Sequence, residues 1–267
     1  MAAFTAIDVK RLRDSTGAGM MDAKNALAEN DGDFDDAAKW LRERGLGKAA
    51  GRVGRANADG AVAVASVGAV AALVELKAET DFVAKSPQFV ALVNELADVV
   101  AAGGEDAVVA RAAGIDDLKL TLKENVELGR VVRFESQPGH VLDTYLHVQN
   151  GRGVNAVLIE LAGGTTELAH DVAVHIAFGQ PAYLRREDVP DDEVAAERSA
   201  LEAATRNEGK PEPAVTKIVE GKLTGWFKRV PGGVLLEQPY ARDDKLSVAQ
   251  HLGDATVVRF AQVLIRP

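Results

Sequence analysis

The sequence predicts an α+β protein: a small helical unit at the N-terminus, then a duplicated α+β core of small antiparallel sheets packed with helices, with an antiparallel helical hairpin inserted in the second copy. Three observations predict it. Apolar residues recur at helical spacing through the first 45 residues, between glycine-bearing breaks. A strand, strand, helix texture starts at residue 58 and returns in the same order from residue 139. Two polar helical runs meet at a double-proline corner between residues 186 and 228. The division that follows is 1–45 for three helices, 46–57 for a linker, 58–138 for the first core unit, 139–185 with 229–267 for the second, and 186–228 for the hairpin. With 267 residues, 47% of them hydrophobic, the chain can bury a substantial core.

Thr5 caps a first periodic segment carrying Ile7, Val9 and Leu12, which ends at "STGAG", where Gly17 and Gly19 supply turn freedom. A second helix is expected from about Met20 to Glu29, with Met21, Ala23 and Leu27 inward, before the break at Asn30-Asp31-Gly32. The third, "DFDDAAKWLRERG", opens on acids and closes on Arg42 and Arg44, the polarity a helix dipole favours, and is expected to stop at Gly45. Phe34, Ala37, Ala38 and Leu41 share its apolar face. So small a unit is marginal alone and suits docking. Residues 45–57, "GLGKAAGRVGRAN", read as a flexible or partly helical linker; use of its basic residues on phosphate is the other reading.

From residue 58, "GAVAVASVG" alternates, "AVAALVELKAE" is a nearly continuous apolar run, and "SPQFVALVNELADVVAAG" repeats Phe89, Val90, Val93, Leu96 and Val100 at helical spacing. "GHVLDTYLHVQN", "NAVLIELAGG" and "TELAHDVAVHIAFG" repeat the order. Aligning Val74-Glu75-Leu76 with Ile159-Glu160-Leu161 gives an offset of 85, and aligning the two copies of "VVRF", Val131–Phe134 and Val257–Phe260, gives 126. The 41-residue difference requires an insertion. The stretch from Asp191 to Lys228 fits it: one run with Val194, Leu201 and Ala204, the "NEGKPEP" corner, and another with Val215, Ile218, Val219, Leu223 and Trp226. Pro211 and Pro213 forbid continuous helix there, so the chain must fold back.

The net charge of −9 argues against nucleic acid, whose binding needs basic surface. Residues 1–57 carry ten Lys/Arg and nine Asp/Glu, leaving the acidity to the remainder. Absence of cysteine excludes disulfides and thiolate chemistry and suits a reducing, cytoplasmic setting. No apolar run approaches the ~20 residues of a bilayer span, and "MAAFTAIDVK" has no signal-peptide h-region, so neither membrane nor export is expected. There is no G-x-x-x-x-G-K-[ST] loop, no H-E-x-x-H pair and no dinucleotide fingerprint, so no direct nucleotide binding, cofactor, metal or enzymatic reaction is expected. His170 and His175 are five residues apart and leave one helical face, which disfavours a shared metal. His175 has two readings, a satisfied buried imidazole or a contact to a partner.

The corner "KAETDFVAKSPQF" places Phe82 between a strand and a helix. Turns lie at the surface, where an uncovered ring forgoes roughly 1.5–3 kcal/mol of burial. Either Phe82 folds back onto its own core or a second molecule covers it.

Three blocks resemble one family along the whole chain and in order: "VKRLRDSTGAGMMDAKNAL", "ETDFVAKS" and "GKPEPAVTKIVEGKL" look like the elongation factor Ts family, the guanine-nucleotide exchange factors of elongation factor Tu. The resemblance implies a ubiquitin-associated-like three-helix domain, a duplicated core and a coiled-coil hairpin. It implies that Thr80, Asp81, Phe82 and Val83 enter the GTPase domain of elongation factor Tu, with the aromatic ring wedged between helices near the magnesium site, so that GDP leaves faster. It makes Arg13, Met20, Lys24 and His175 further contacts to that partner. Two segments depart from the family pattern, "QNGRGVNA" and Gln238-Pro239-Tyr240-Ala241-Arg242. The competing reading from another class is a structural adaptor that docks partners through its three-helix unit without exchanging nucleotide. The alanine-rich stripe of the hairpin allows at most weak self-association.

Overall fold

The computed structural model describes residues 4–16, 18–50 and 56–265, without the side chains of 46–50. The turn assigned to Gly17 and the linker segment 51–55 lie outside the described residues. Helix α1 (Ala6–Thr16) opens on a reciprocal cap: the Asp8 amide donates to Thr5 Oγ1 at 3.4 Å and the Thr5 amide donates to Asp8 Oδ2 at 2.7 Å. Helices α2 (Met20–Glu29) and α3 (Phe34–Ala50) pack on it around Val9, Leu12, Ala23, Ala26, Leu27 and Ala37, with Phe34, Ala38 and Leu41 at the margin. Two expectations fail within this unit. Ile7 and Met21 are exposed: each lies off the stripe set by its buried neighbours at three- and four-residue spacing, and Ala26 fills the place given to Met21.

The first core unit runs β1 (Asp59–Val67), β2 (Val70–Ala78), α4 (Asp81–Ala84), α5 (Pro87–Gly103), a 3-10 segment Glu105–Arg111, α6 (Ala112–Leu122) and β3 (Glu127–Glu135). Helix α6 and the 3-10 segment were not anticipated. Together they correct the end of α3, which passes Gly45 instead of stopping there. Gly45 sits against α6, and a Cβ there would lie 2.6 Å from Leu120 Cδ2. The glycine serves close helix approach, not termination.

The second unit runs β4 (His140–Gln149), β5 (Arg152–Ala162), α7 (Thr166–Gly179), α8 (Asp191–Asn207), α9 (Glu212–Phe227), the short strands β6 (Pro239–Tyr240) and β7 (Asp243–Ser247), α10 (Val248–Leu252) and β8 (Thr256–Leu264). The strand orders β1-β2-β3 and β4-β5-β8 are the same, both antiparallel, so the duplication is real in topology. The two VVRF segments, however, are not equivalent. Val74 pairs with Val131 while Ile159 pairs with Phe260, and Leu76 pairs with Leu128 while Leu161 pairs with Val257. An offset of 85 on the middle strand therefore goes with 129 on the last, and the insertion is 44 residues. A three-residue slip reverses the faces of a strand. Phe134 accordingly lies between the sheets, whereas Phe260 faces the helix layer.

The sheets pack against each other through Val62, Ala71, Leu73 and Phe134 on one side and Val154, Ala156, Leu158, Ala261 and Val263 on the other. Helix α5 covers the outer face of the first sheet and α7 that of the second, giving helix, sheet, sheet, helix layers. The near-continuous apolar runs follow from this, since β2 and β5 are buried on both faces.

Helices α8 and α9 are antiparallel, because Arg198 pairs with Glu220 and Arg206 with Glu212. Pro211 is the N-cap of α9 and Pro213 lies in its first turn, where no intrahelical donor is needed. Val215, Val219, Leu223 and Phe227 form its inner stripe, with Val194, Leu201 and Trp226 packed nearby. In α8 the inward residue is Thr205 rather than Ala204. Among the described residues, no helix is long and apolar enough to cross a membrane.

Candidate functional site

The corner between β2 and α5 divides its four residues between holding and presenting. Thr80 is extended at φ −129° and ψ 156° and caps α4, its Oγ1 accepting the Val83 amide at 3.4 Å and its carbonyl accepting the Ala84 amide at 3.2 Å. Val83 and Ala84 turn into the core formed by β1, β2 and α5. Phe82, between cap and anchor, is 83% exposed. Asp81 is at the surface, paired with Lys85 one turn on, and that hydrogen bond foremost holds its carboxyl below the ordinary carboxylate value. The corner thus offers an apolar ring beside an ionised acid.

The start of the corner is tied to a segment 44 residues later in sequence. Glu124 Oε2 accepts the amides of Glu79 at 3.1 Å and Thr80 at 3.0 Å, and Glu124 Oε1 accepts the Thr80 hydroxyl at 2.5 Å. Reciprocally, the Asn125 amide donates to Glu79 Oε1 at 2.7 Å. Sequence reasoning missed Glu124, which is far from the corner in sequence and stands in no motif or periodic run.

The other expected contacts are scattered. Arg13 lies on α1, half-exposed and paired with Asp14 at 2.5 Å. Met20 and Lys24 are exposed on α2. His175 is corrected: it is 1% exposed on α7 and so is not a presented contact. Its Nε2 is 2.9 Å from Gln238 Oε1, and its Nδ1 accepts the Ala241 amide at 3.2 Å. That pattern fixes the neutral imidazole with the proton on Nε2, because the Gln238 amide nitrogen is turned the other way, donating to the carbonyls of Gly179 and Arg229. Burial foremost pushes the His175 pKa down. Gln238 and Tyr240, in a segment that departs from the family pattern, are likewise buried. The exposed aromatic on α7 is Phe178, 63% exposed. In the other departing segment, Asn150 at φ 53° and Gly151 at φ 80° turn β4 into β5, and Arg152 is buried against Asp59 and the Gly60 carbonyl.

No group of three or more His, Asp or Glu among the described residues is arranged to hold a metal ion. What the corner offers chemically is recognition: a hydrogen-bonded backbone, a ring open to solvent and, beside it, an acid paired with Lys85.

A family model described as elongation factor TS matches residues 79–265, beginning one residue before this corner. Elongation factor Ts of Clavibacter michiganensis subsp. michiganensis is 46% identical over 277 residues, with 98% of each chain covered. Elongation factor Ts of Acidothermus cellulolyticus is 45% identical over 279 residues, with 99% of each covered. Elongation factor Ts of Mycolicibacterium vanbaalenii is 46% identical over 276 residues, with 98% of each covered.

Proposed function

The chain belongs to the elongation factor Ts family of translation elongation factors, and from that premise we propose that it binds elongation factor Tu carrying GDP and speeds GDP release through its Thr80–Val83 corner. The observation that carries this is the exposure of Phe82 on a backbone held on both sides. The ring gains its burial free energy only when a partner covers it, roughly 1.5–3 kcal/mol. Docked beside the nucleotide site of the GTPase, the ring separates the elements that hold magnesium and phosphate, and Asp81 brings a negative charge to the same place. Both favour the nucleotide-free state. No bond is made or broken in this reading, and coupling is reciprocal: a factor that weakens GDP binding is itself weakened by nucleotide to the same degree, so GTP displaces it.

In the same reading the three-helix unit is a ubiquitin-associated-like docking domain offering Arg13, Met20 and Lys24, the α8–α9 hairpin is a coiled coil, and the protein works in the cytoplasm. His175 acts from beneath the surface, fixing residues 238–241.

Stopped-flow release of fluorescent GDP from elongation factor Tu tests the proposal. The intact chain is expected to accelerate release, and Phe82→Ala to lose about 30-fold of that acceleration, equivalent to ~2 kcal/mol for a central apolar anchor. Unaccelerated release with the intact chain, or full acceleration by Phe82→Ala, overturns it.

A further inference from the structure

We infer that Glu124 is a positioning residue for nucleotide exchange: its carboxylate clasps Glu79 and Thr80, where the chain enters the corner, and so fixes the direction in which Phe82 is presented. The inference rests on the exchange reading above. Strands β2 and β3 pair antiparallel out to Lys77 opposite Glu127. Continued in that register, Glu79 would face Asn125 and Thr80 would face Glu124, but the ladder described between the strands ends at Lys77 and Glu127. Side-chain carboxylates take over. Glu124 accepts three hydrogen bonds, from the amides of Glu79 and Thr80 and from the Thr80 hydroxyl, while Glu79 accepts the Asn125 amide. Charge-assisted bonds of this kind are stronger than neutral ones.

The clasp is itself anchored. Asn125 and Val126 are buried, and Val126 belongs to the same core cluster as Val83 and Ala84. Lys123, just before Glu124, ends α6 in the left-handed region at φ 58°, a conformation few non-glycine residues adopt. That turn aims the next side chain back at the corner. Phe82 therefore stands between two fixed points, the Glu124 clasp before it and the Val83–Ala84 anchor after it. A ring presented in one direction loses little conformational freedom on docking, and small misplacements are costly in rate.

The test is a double-mutant cycle on GDP release from elongation factor Tu, with the full chain as parent. Glu124→Ala is expected to lower acceleration about tenfold, and less than about twofold when Phe82 is already Ala, because its effect passes through that ring. Glu124→Gln keeps a carbonyl oxygen for the two amides and is expected to stay within about threefold of the parent. Equal losses in both backgrounds, no loss in the parent background, or a Gln variant as poor as Ala each overturn the inference, the last because Gln keeps the oxygen that accepts both amides. Hydrogen–deuterium exchange of the Glu79 and Thr80 amides supplies an arm independent of elongation factor Tu. Protection is expected in the parent and in Glu124→Gln and is expected to be lost in Glu124→Ala; unchanged protection overturns the inference. Should Phe82→Ala alone leave GDP release untouched, the exchange reading falls and the role of Glu124 in exchange falls with it, while amide protection still reports whether Glu124 holds the corner.

Discussion

The two halves of the core each turn from a middle strand into a capped helix, and the turns superpose in sequence at the same offset as the strands. Thr80, Asp81, Phe82 and Val83 in the first half correspond to Thr165, Thr166, Glu167 and Leu168 in the second. Each threonine caps its helix, Thr80 Oγ1 accepting from Val83 and Thr165 Oγ1 accepting the Leu168 amide at 3.2 Å. Each third helical residue packs on its own core, and each second helical residue faces solvent. The cap geometry, not the side chain, decides that this position is exposed. In the second half it holds a glutamate, as the positive end of a helix favours. In the first it holds a phenylalanine. The comparison also separates the ways the two turns are held: the first by the Glu124 clasp, the second by Gly163 and Gly164 at φ 76° and 82°, where an added side chain at Gly164 would meet Ala255.

The largest effect should separate two phenylalanines on one side of the first sheet. Phe89, in the first turn of α5, is fully buried, and Phe89→Ala is expected to destabilise folding by ~3–5 kcal/mol, whereas Phe82→Ala should stay within ~0.5 kcal/mol. Urea titration of both variants checks this; a large stability loss at Phe82 would mean that the ring supports its own fold. Next, Phe82→Glu makes the first corner resemble the second and should remove acceleration of GDP release by about 30-fold or more, while Glu167→Ala leaves it unchanged. Equal losses at both positions would break the asymmetry.

A smaller effect distinguishes the caps. Thr165→Ala should cost ~1 kcal/mol of stability and leave exchange alone. Thr80→Ala loses the cap and also the hydroxyl bond to Glu124, so its stability loss should be larger by ~1 kcal/mol, and exchange should slow as well. Thermal unfolding and GDP release of the two variants provide the readout.

Much of the architecture was legible because it is written in periodicity. The α8–α9 hairpin follows from two helical runs and the prolines at 211 and 213, and the middle strands from apolar runs without alternation. The chain past residue 104 in the first half was not: α6 has a short apolar face, and the glycine that marks its crossing with α3 reads locally as a stop. The VVRF repeat misled because identical letters can occupy opposite faces of paired strands, and only hydrogen-bond register distinguishes them. At the corner, the motif pointed to Phe82. The residue that holds it, Glu124, is distant in sequence and has no periodic signature. His175 stayed open between burial and a partner contact for the converse reason: a polar residue in an apolar helix is compatible with either until the groups that satisfy it, Gln238 and the Ala241 amide, are known.

His175 also supplies the mildest asymmetry between the halves, because all five histidines lie from residue 140 onward. Its neutral ring donates through Nε2 and accepts through Nδ1, so protonation removes the acceptor for the Ala241 amide and places a charge beneath α7. The groups around it do not offset that charge directly: His251 stacks on Tyr240 at 3.8 Å, and Asp171, which bears on Tyr240, is engaged by Arg242 at 2.5 Å. Burial lowers the folded pKa of His175 below its unfolded value near 6.5. In that interval the unfolded chain binds more protons, so the contribution of His175 is fully present above pH 6.5 and is lost as pH falls towards the folded pKa. The slope from this one group cannot exceed ~1.4 kcal/mol per pH unit. The difference in unfolding free energy between the parent and His175→Gln, measured by urea titration at intervals from pH 8 downward, isolates it, since the carboxylates common to both chains cancel. The parent's advantage should shrink as pH falls below 6.5; an advantage constant with pH would mean that the ring carries no neutral-state requirement.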